Sequence, residues 1–225
     1  MDVPWVPLVG FVGTSLVALL VLWPREGNGE RLLKKWGIAE PNQQQVEEGV
    51  RYLKRRRLLY PWLYGALWLL PQWGNNTTQL LVVVLTGTLL AELIALRPRR
   101  DARREATLTR RGLFDIASGW VVLLYAVIAI CSAVYLGLHQ RWDLLGWLAL
   151  SVVAVAVITW AAVARPATGD GVVDKVLRTR SVHVSAGLGA AVAVAVTLEP
   201  RAGFVGLLLW IGMANTKPDP AKITP

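Results

Sequence analysis

The sequence has little of the charge, and almost none of the cysteine, on which many secreted or soluble proteins depend. Only 17% of its 225 residues are charged, whereas 54% are hydrophobic. A soluble domain of this length does not normally combine so much apolar residue with so little charge. The one cysteine, Cys131, excludes a disulfide within the chain. These shortages favour a chain that is surrounded largely by lipid.

Histidine is equally scarce, and this bears on catalysis. His139 lies in a polar turn and His183 begins a later hydrophobic run, so the predicted topology places them on opposite membrane faces, where they cannot share a metal. The sequence contains no HExxH motif, no Cys–His metal spacing and no glycine-rich phosphate loop. No histidine falls near the middle of a hydrophobic run, where it could activate a serine. We therefore expect no enzymatic activity, no metal and no cofactor.

Basic residues are plentiful, and their distribution indicates a membrane partner. The formal charge is +9, but the Lys and Arg residues stand in short blocks between apolar runs. This arrangement favours anionic lipid headgroups over nucleic acid. A membrane-protein partner or a second copy of the chain is a further expectation. The candidate headgroup ligands are Arg55, Arg56, Arg57, Arg110, Arg111, Arg178 and Arg180.

Seven hydrophobic runs are candidate membrane spans. A bilayer core about 30 Å thick needs about 20 helical residues. The runs are 4–23, 58–73, 79–96, 112–138, 144–164, 181–198 and 202–215. The last run is short, so half of a re-entrant hairpin is an alternative there. We predict an all-α fold: a polytopic transmembrane helix bundle of about seven spans, with five or six spans as alternatives, forming a single integral membrane domain over 1–225.

The loops between these runs differ sharply in charge, which predicts an orientation. Of the 24 Lys and Arg residues, all but Arg141 and Arg201 lie in alternate loops or in the C-terminal tail. Because cytoplasmic loops carry the excess of Lys and Arg, the N-terminus is expected outside and the C-terminus in the cytoplasm. The first run lacks a basic segment before it and a cleavage site, so we interpret it as a retained span. Frequent Arg, Ala, Val and Leu suggest a bacterial plasma membrane.

Each basic loop is predicted to contain a short amphipathic helix that enters the next span. In loop 24–57 this helix runs from Pro41 to Arg57, with Val46, Val50 and Leu53 on one face. The other two connecting helices are predicted at 101–111 and from Asp170 onward, the latter with an Asp174–Arg178 pair. We expect these helices to lie in the headgroup region with their apolar faces toward the lipid.

Two carboxylates within the hydrophobic runs are the strongest hints of a site. Glu92 lies one turn from Arg97, and Asp115 lies one turn from Arg111. The simplest interpretation is pairing with these neighbouring arginines near the cytoplasmic interface. The alternative hypothesis places Glu92 and Asp115 together at one cytoplasmic mouth, as an ion or proton site.

Small residues in the sixth run predict close helix packing, either within the bundle or against a partner. Ser185 and Gly189, and likewise Gly187 and Ala191, follow the spacing of tight contacts in lipid. The sequence therefore favours a non-enzymatic accessory subunit of a membrane complex or transporter. Two alternatives stay open: a small-solute or ion transporter acting alone, and a regulatory membrane protein that docks a cytoplasmic partner through loop 24–57.

Overall fold

A computed structural model describes residues 23–63, 76–95, 104–105, 112–164, 167–168, 170–198 and 200–216, together with six single positions between Val9 and Leu20. Helices account for nearly all of them, which confirms the predicted all-α class. In chain order they are α1 (Glu26–Lys35), α2 (Gln43–Leu58), α3 (Asn76–Ala95), α4 (Leu113–Ile116), α5 (Gly119–Leu138), α6 (Trp142–Ala164), α7 (Gly171–Thr197) and α8 (Pro200–Ala214). The predicted span 4–23, apart from those single positions and Trp23, and most of 58–73 lie outside the described residues.

The first basic loop folds as a helical hairpin of α1 and α2. Helix α1 ends in a Schellman turn, in which the Ile38 N–H donates to the Leu33 carbonyl at 3.0 Å. Gly37 has a φ of 100° in this turn, a conformation that glycine adopts without strain. The chain then reverses and starts α2.

Helix α2 begins later than predicted because of its cap. Asn42 accepts a hydrogen bond from the Gln45 backbone N–H at 2.9 Å, and the Gln45 side chain accepts from the Asn42 N–H at 3.0 Å. This reciprocal capping box satisfies two N–H groups that a helix start leaves unpaired. Pro41, predicted in the first turn, therefore precedes the helix.

The hairpin is closed by two glycines, Gly29 and Gly49, at the crossing of its helices. A Cβ at Gly29 would stand 2.7 Å from the Val46 carbonyl oxygen, so the backbones can approach this closely only without one. Val46 and Val50 are buried in this contact, with Leu33. The prediction that this apolar face is turned toward lipid is wrong, because α1 covers it, while the position of the helix relative to the headgroups stays a prediction.

The predicted fourth span, 112–138, is divided. Its first residues form α4, the backbone of Ala117 is extended (φ −112°, ψ 147°), and α5 then begins behind Ser118. At the break, the Ser118 N–H donates a hydrogen bond to the His183 side chain of α7.

In the loops that precede α4 and α7, β1 (Arg104–Glu105) pairs antiparallel with β2 (Ala167–Thr168). The helix predicted over 101–111 is therefore wrong at 104–105, because these residues bond to another loop.

Helix α7 joins two predicted elements into one. The connecting helix expected from Asp170 and the span 181–198 form a continuous helix, with no Pro between them to interrupt it. Asp170 caps its start by accepting from the Val172 and Val173 N–H groups at 2.9 and 3.0 Å. The predicted Asp174–Arg178 pair is confirmed at 2.6 Å.

Helix α7 is the centre of the bundle. In its most apolar stretch 94% of the residues are buried, against 22% in α5 and 33% in α6. Its small residues make this possible: a Cβ at Gly189 would stand 2.7 Å from the Tyr125 ring of α5 and 2.8 Å from Val155 of α6. Gly187 lies against Trp210 of α8 in the same way. The predicted close packing is confirmed, and it lies within the bundle.

Helix α8 returns antiparallel along α7. It begins at Pro200, which suits a first helical position because its missing N–H would be unpaired there. Gly206 lies against Ala191, where an added Cβ would stand 3.1 Å from the Ala191 carbonyl oxygen. Among the described segments, α5, α6 and α7 are long and apolar enough to cross a membrane, while Val82–Ile94 and Phe204–Ala214 are shorter apolar stretches. A total of seven spans stays a prediction.

Polar contacts bring several helix ends together at one end of the bundle, which we call the basic end. It comprises hairpin α1–α2, the end of α3, the start of α5, the first half of α7 and the end of α8. Lys35 donates to the Asn215 side chain, which ties α1 to the end of α8. Gln45 donates to Asp170 at 2.9 Å, which ties the start of α2 to the start of α7. The hairpin is therefore docked on the bundle.

Candidate functional site

The candidate site is a buried carboxylate, Glu92, at the basic end. The end of α3 carries Glu92, whose side chain has no exposed surface. Helix α2 supplies Tyr52 and Arg56, which lie four residues apart and therefore on one helix face. Helix α7 supplies Arg180 and Ser181. Three helices that are distant in sequence thus meet at one carboxylate, and we call these five residues the Glu92 cluster.

Both oxygens of this carboxylate have partners. The Arg56 Nε lies 2.9 Å from Glu92 Oε2, and both side chains are buried. Ser181 donates its hydroxyl proton to Glu92 Oε1 at 2.7 Å. The Tyr52 hydroxyl donates to the same oxygen. A buried carboxylate is tolerated when it is paired and hydrogen-bonded, and these contacts meet both conditions.

A second arginine reaches the carboxylate through the tyrosine. Arg180 donates to the Tyr52 hydroxyl at 2.6 Å, and its guanidinium lies 5.2 Å from the centre of the Tyr52 ring. Burial raises the pKa of Tyr52 to about 12. The phenol is therefore protonated at neutral pH, so it can accept from Arg180 and donate to Glu92 at once. The arrangement forms a relay of hydrogen bonds across α7, α2 and α3.

The chemistry of this cluster is that of a clamp between helices. A cation at Glu92 would have to displace Arg56, which already supplies a positive charge at close range. Removing one partner of such a pair leaves a buried charge uncompensated, which costs about 3–5 kcal/mol. Within the described residues, no group of three or more His, Cys, Asp or Glu side chains could hold a metal. The cluster therefore holds the hairpin on the bundle.

The second predicted carboxylate, Asp115, has a local role. It is exposed in α4 and accepts from the Gly112 N–H at 2.7 Å, so it caps its own helix. In the part of the chain that the structure describes, Glu92 bonds to Arg56, Tyr52 and Ser181, whereas Asp115 bonds to Gly112, so the two carboxylates share none of these partners. Arg97 and Arg111, their predicted partners, lie outside the described residues. An ion or proton site shared by the two carboxylates stays a hypothesis.

The seven predicted headgroup ligands have different surroundings. Arg56 is buried against Glu92, and Arg178 is buried against Asp174 while donating to the Ala162 carbonyl at 3.0 Å. These two guanidinium groups face protein, because each has a carboxylate partner at close range. Of the other five, Arg55 is exposed, Arg57 and Arg180 are half-buried, and Arg110 and Arg111 lie outside the described residues.

Sequence reasoning missed Tyr52 and Ser181, although part of the signal was present. Arg56 follows Leu53 by three residues and so continues the apolar face of α2, which indicates a buried position for it. Tyr52 precedes Arg56 by one turn. Nothing in the local sequence connects these residues to Glu92 or Ser181, because those contacts join separate helices.

The comparisons with known proteins add no assignment to this geometry. Neither the protein-family models, nor the curated proteins, nor the solved structures give a match to this chain.

Proposed function

We propose that the chain is an integral membrane protein that serves as a non-enzymatic accessory subunit of a membrane complex or transporter. The observation that carries this proposal is the Glu92 cluster, which fixes hairpin α1–α2 to the bundle as a rigid platform. A clamp of this kind positions a surface for another protein. In this arrangement the central helix α7 is enclosed by other helices.

The exposed faces of α5 and α6 support insertion in a bilayer. Trp142 and Trp160 stand at the two ends of α6 and are 66% and 70% exposed. At 1.5 Å per residue they are separated by about 27 Å along the helix. This is close to the hydrocarbon thickness of about 30 Å, and Trp is enriched at both membrane interfaces. Between them, Val153 and Val157 face outward.

The charge distribution supports a cytoplasmic position for the basic end, in the plasma membrane of a bacterium. The C-terminal end of α8 lies at this end, so the C-terminus would also be cytoplasmic and the N-terminus outside. Arg55 and Arg57 would then lie close to anionic headgroups. A reporter fused after Asn76, at the opposite end of α3, is expected to read extracellular. A cytoplasmic signal there would reverse the orientation.

Two alternatives make different use of the same geometry. A transporter acting alone would use Glu92 as its ion site, and Arg56 would have to leave during transport. A regulatory protein would dock a soluble partner on residues 24–57, whose folded hairpin exposes Lys54 and Arg55. The accessory-subunit proposal instead requires a partner that is itself in the membrane.

The test is native mass spectrometry of the protein extracted in mild detergent, followed by reconstitution with each purified partner. We expect a membrane protein bound at a fixed ratio. The double variant Lys54→Glu/Arg55→Glu, on the exposed face of the hairpin, should weaken this complex about tenfold, which corresponds to about 1.4 kcal/mol, because the reversed charges no longer complement the partner surface. Arg141→Glu is the matched control, because Arg141 is exposed at the opposite end of the bundle.

Three results would overturn the accessory-subunit proposal. The first is a well-folded protein that is isolated alone under conditions in which other membrane complexes survive. The second is a soluble partner that binds the hairpin, which supports regulation. The third is ion flux in liposomes that contain only this chain and that Glu92→Gln abolishes, which supports transport.

A further inference from the structure

A buried histidine, His183, joins three elements of the basic end to α7. Its Nε2 lies 3.0 Å from the backbone nitrogen of Ser118, at the break between α4 and α5. Its Nδ1 lies 3.1 Å from the carbonyl oxygen of Thr216, just beyond the end of α8. The ring centre of Trp36, at the end of α1, is 6.0 Å from that of the imidazole. The side chain has no exposed surface.

These two hydrogen bonds specify one form of the imidazole. A backbone N–H can only donate, so Nε2 must carry a lone pair to accept from Ser118. A carbonyl oxygen can only accept, so Nδ1 must carry the proton that is donated to Thr216. The neutral Nδ1–H tautomer is therefore the form that satisfies both contacts.

We propose that His183 is a proton-operated latch for the break between α4 and α5. When the ring is neutral, it holds the start of α5 through the Ser118 N–H and the end of α8 through the Thr216 carbonyl. A proton added at Nε2 places two donors face to face at the Ser118 contact. Protonation therefore breaks the hydrogen bond from Ser118 and leaves the hydrogen bond to Thr216. Only the break between α4 and α5 is then released from His183.

Charged groups on several elements around His183 have partners of their own. Lys35 of α1 donates to Asn215, and Asp115 of α4 caps Gly112. Glu92 of α3 is paired with Arg56 of α2. On α7 itself, Arg180 donates to Tyr52 and Asp174 pairs with Arg178, while Lys175 lies half-buried about two turns before His183. On α6, the carbonyl of Ala162 accepts from Arg178. Within the residues that the structure describes, the imidazole contacts the Ser118 and Thr216 backbone and the Trp36 ring, and no carboxylate is among these contacts to hold its proton.

The chain has two histidines, which makes a direct test practical. Two samples in nanodiscs would be titrated by NMR. One is labelled with ¹⁵N-histidine and reports the form of the imidazole, with His139 giving the second histidine signal; the other is labelled uniformly with ¹⁵N and reports amide exchange at Ser118. Near pH 7.5, His183 should show the neutral Nδ1–H tautomer. As His183 becomes protonated, the hydrogen-exchange protection factor at Ser118 should fall by about tenfold or more, as expected for the loss of one buried hydrogen bond.

Matched variants separate the latch from general acid unfolding. His183→Gln offers an acceptor that does not titrate, so its Ser118 protection factor should not change over the same pH range. His139→Gln should behave as the wild-type chain. Either of two results would overturn the proposal: His183 protonates while Ser118 protection is unchanged, or His183 stays neutral until the protein unfolds. Both of these results are measured on the wild-type chain, so misfolding of His183→Gln would not prevent the test.

Discussion

The basic end and the middle of the bundle are held together by different means. At the basic end, charged and hydrogen-bonding side chains such as Glu92 and Arg56 join helices that are far apart in sequence. In the middle, Gly187 and Gly189 let neighbouring helices touch the backbone of α7. Polar pairs determine which elements meet, because a wrong partner would leave a buried charge unpaired. Small residues determine how closely they meet. The choice of helix partner and the distance between packed helices therefore depend on different residues in this protein.

The largest effect should come from breaking the ion pair of the Glu92 cluster. Glu92→Leu leaves Arg56 buried without its carboxylate, and we expect a loss of about 3–5 kcal/mol in the free energy of unfolding. Arg56→Met should cost a similar amount. Unfolding in mixed micelles, followed by circular dichroism, measures both.

The control for this prediction is the double variant. Glu92→Leu/Arg56→Met removes both charges, so it should be more stable than either single variant, since an apolar pair of similar volume avoids the desolvation cost. If the two losses simply add, the pair is not the source of the stability.

A smaller effect is expected in the middle of the bundle. Gly189→Ala places a methyl group against Tyr125 and Val155, and such overpacking costs about 1–3 kcal/mol. Gly146→Ala in α6 is the matched control, because nothing lies within 4 Å of its added Cβ. That variant should be neutral or up to about 1 kcal/mol more stable. Equal losses in the two variants would show that contact with α7 does not decide the outcome.

The smallest effect concerns the start of α7. Burial would raise the pKa of Asp170, but hydrogen bonds from Gln45, Val173 and Val172 outweigh it and lower the pKa overall. The carboxylate should therefore stabilise the fold fully above its unfolded pKa of about 3.9, and lose this contribution as the pH falls through the lower folded value. We expect Asp170→Ala to cost about 0.5–2 kcal/mol at pH 7.

The pH dependence supplies the check on Asp170. The stability difference between the wild-type chain and Asp170→Ala should shrink between pH 5 and the acid end of the titration. Asp170→Asn, which keeps a capping oxygen, should retain most of the stability at pH 7. A difference that does not change with pH would show that the charge plays no part.

The all-α class could be predicted from the sequence because it follows from periodicity and composition, which are local properties. The Asp174–Arg178 pair could be predicted for the same reason, since both residues lie on one turn of helix. The division of run 112–138 could not, because the Ser118 N–H at this break donates to His183, which comes from a helix distant in sequence. Apolar runs show where helices can form, but they do not predict interruptions that are stabilised by side chains distant in sequence.

The Glu92 cluster illustrates the same limit. The hydrophobic setting of Glu92 indicated a special position, and its neighbours in sequence suggested Arg97 as its partner. Its described partner is Arg56, which comes from another helix. A basic block such as Arg55, Arg56 and Arg57 looks uniform in sequence, yet the helix turns one of the three toward the protein interior. A contact between separate helices requires the packing of both to be known.

The central place of α7 has a consequence for how the protein is made. Chains emerge from the ribosome N-terminal end first, so α5 and α6 are synthesised before the helix that they will surround exists. Their inner faces, including Ser132 and Ser151, must meanwhile face lipid, water or a chaperone. The bundle can close only when the hairpin of α7 and α8 inserts among helices that are already present. Helix α7 thus completes the packing of the described helices, and a premature stop before it would leave the helices that contact it without their central partner.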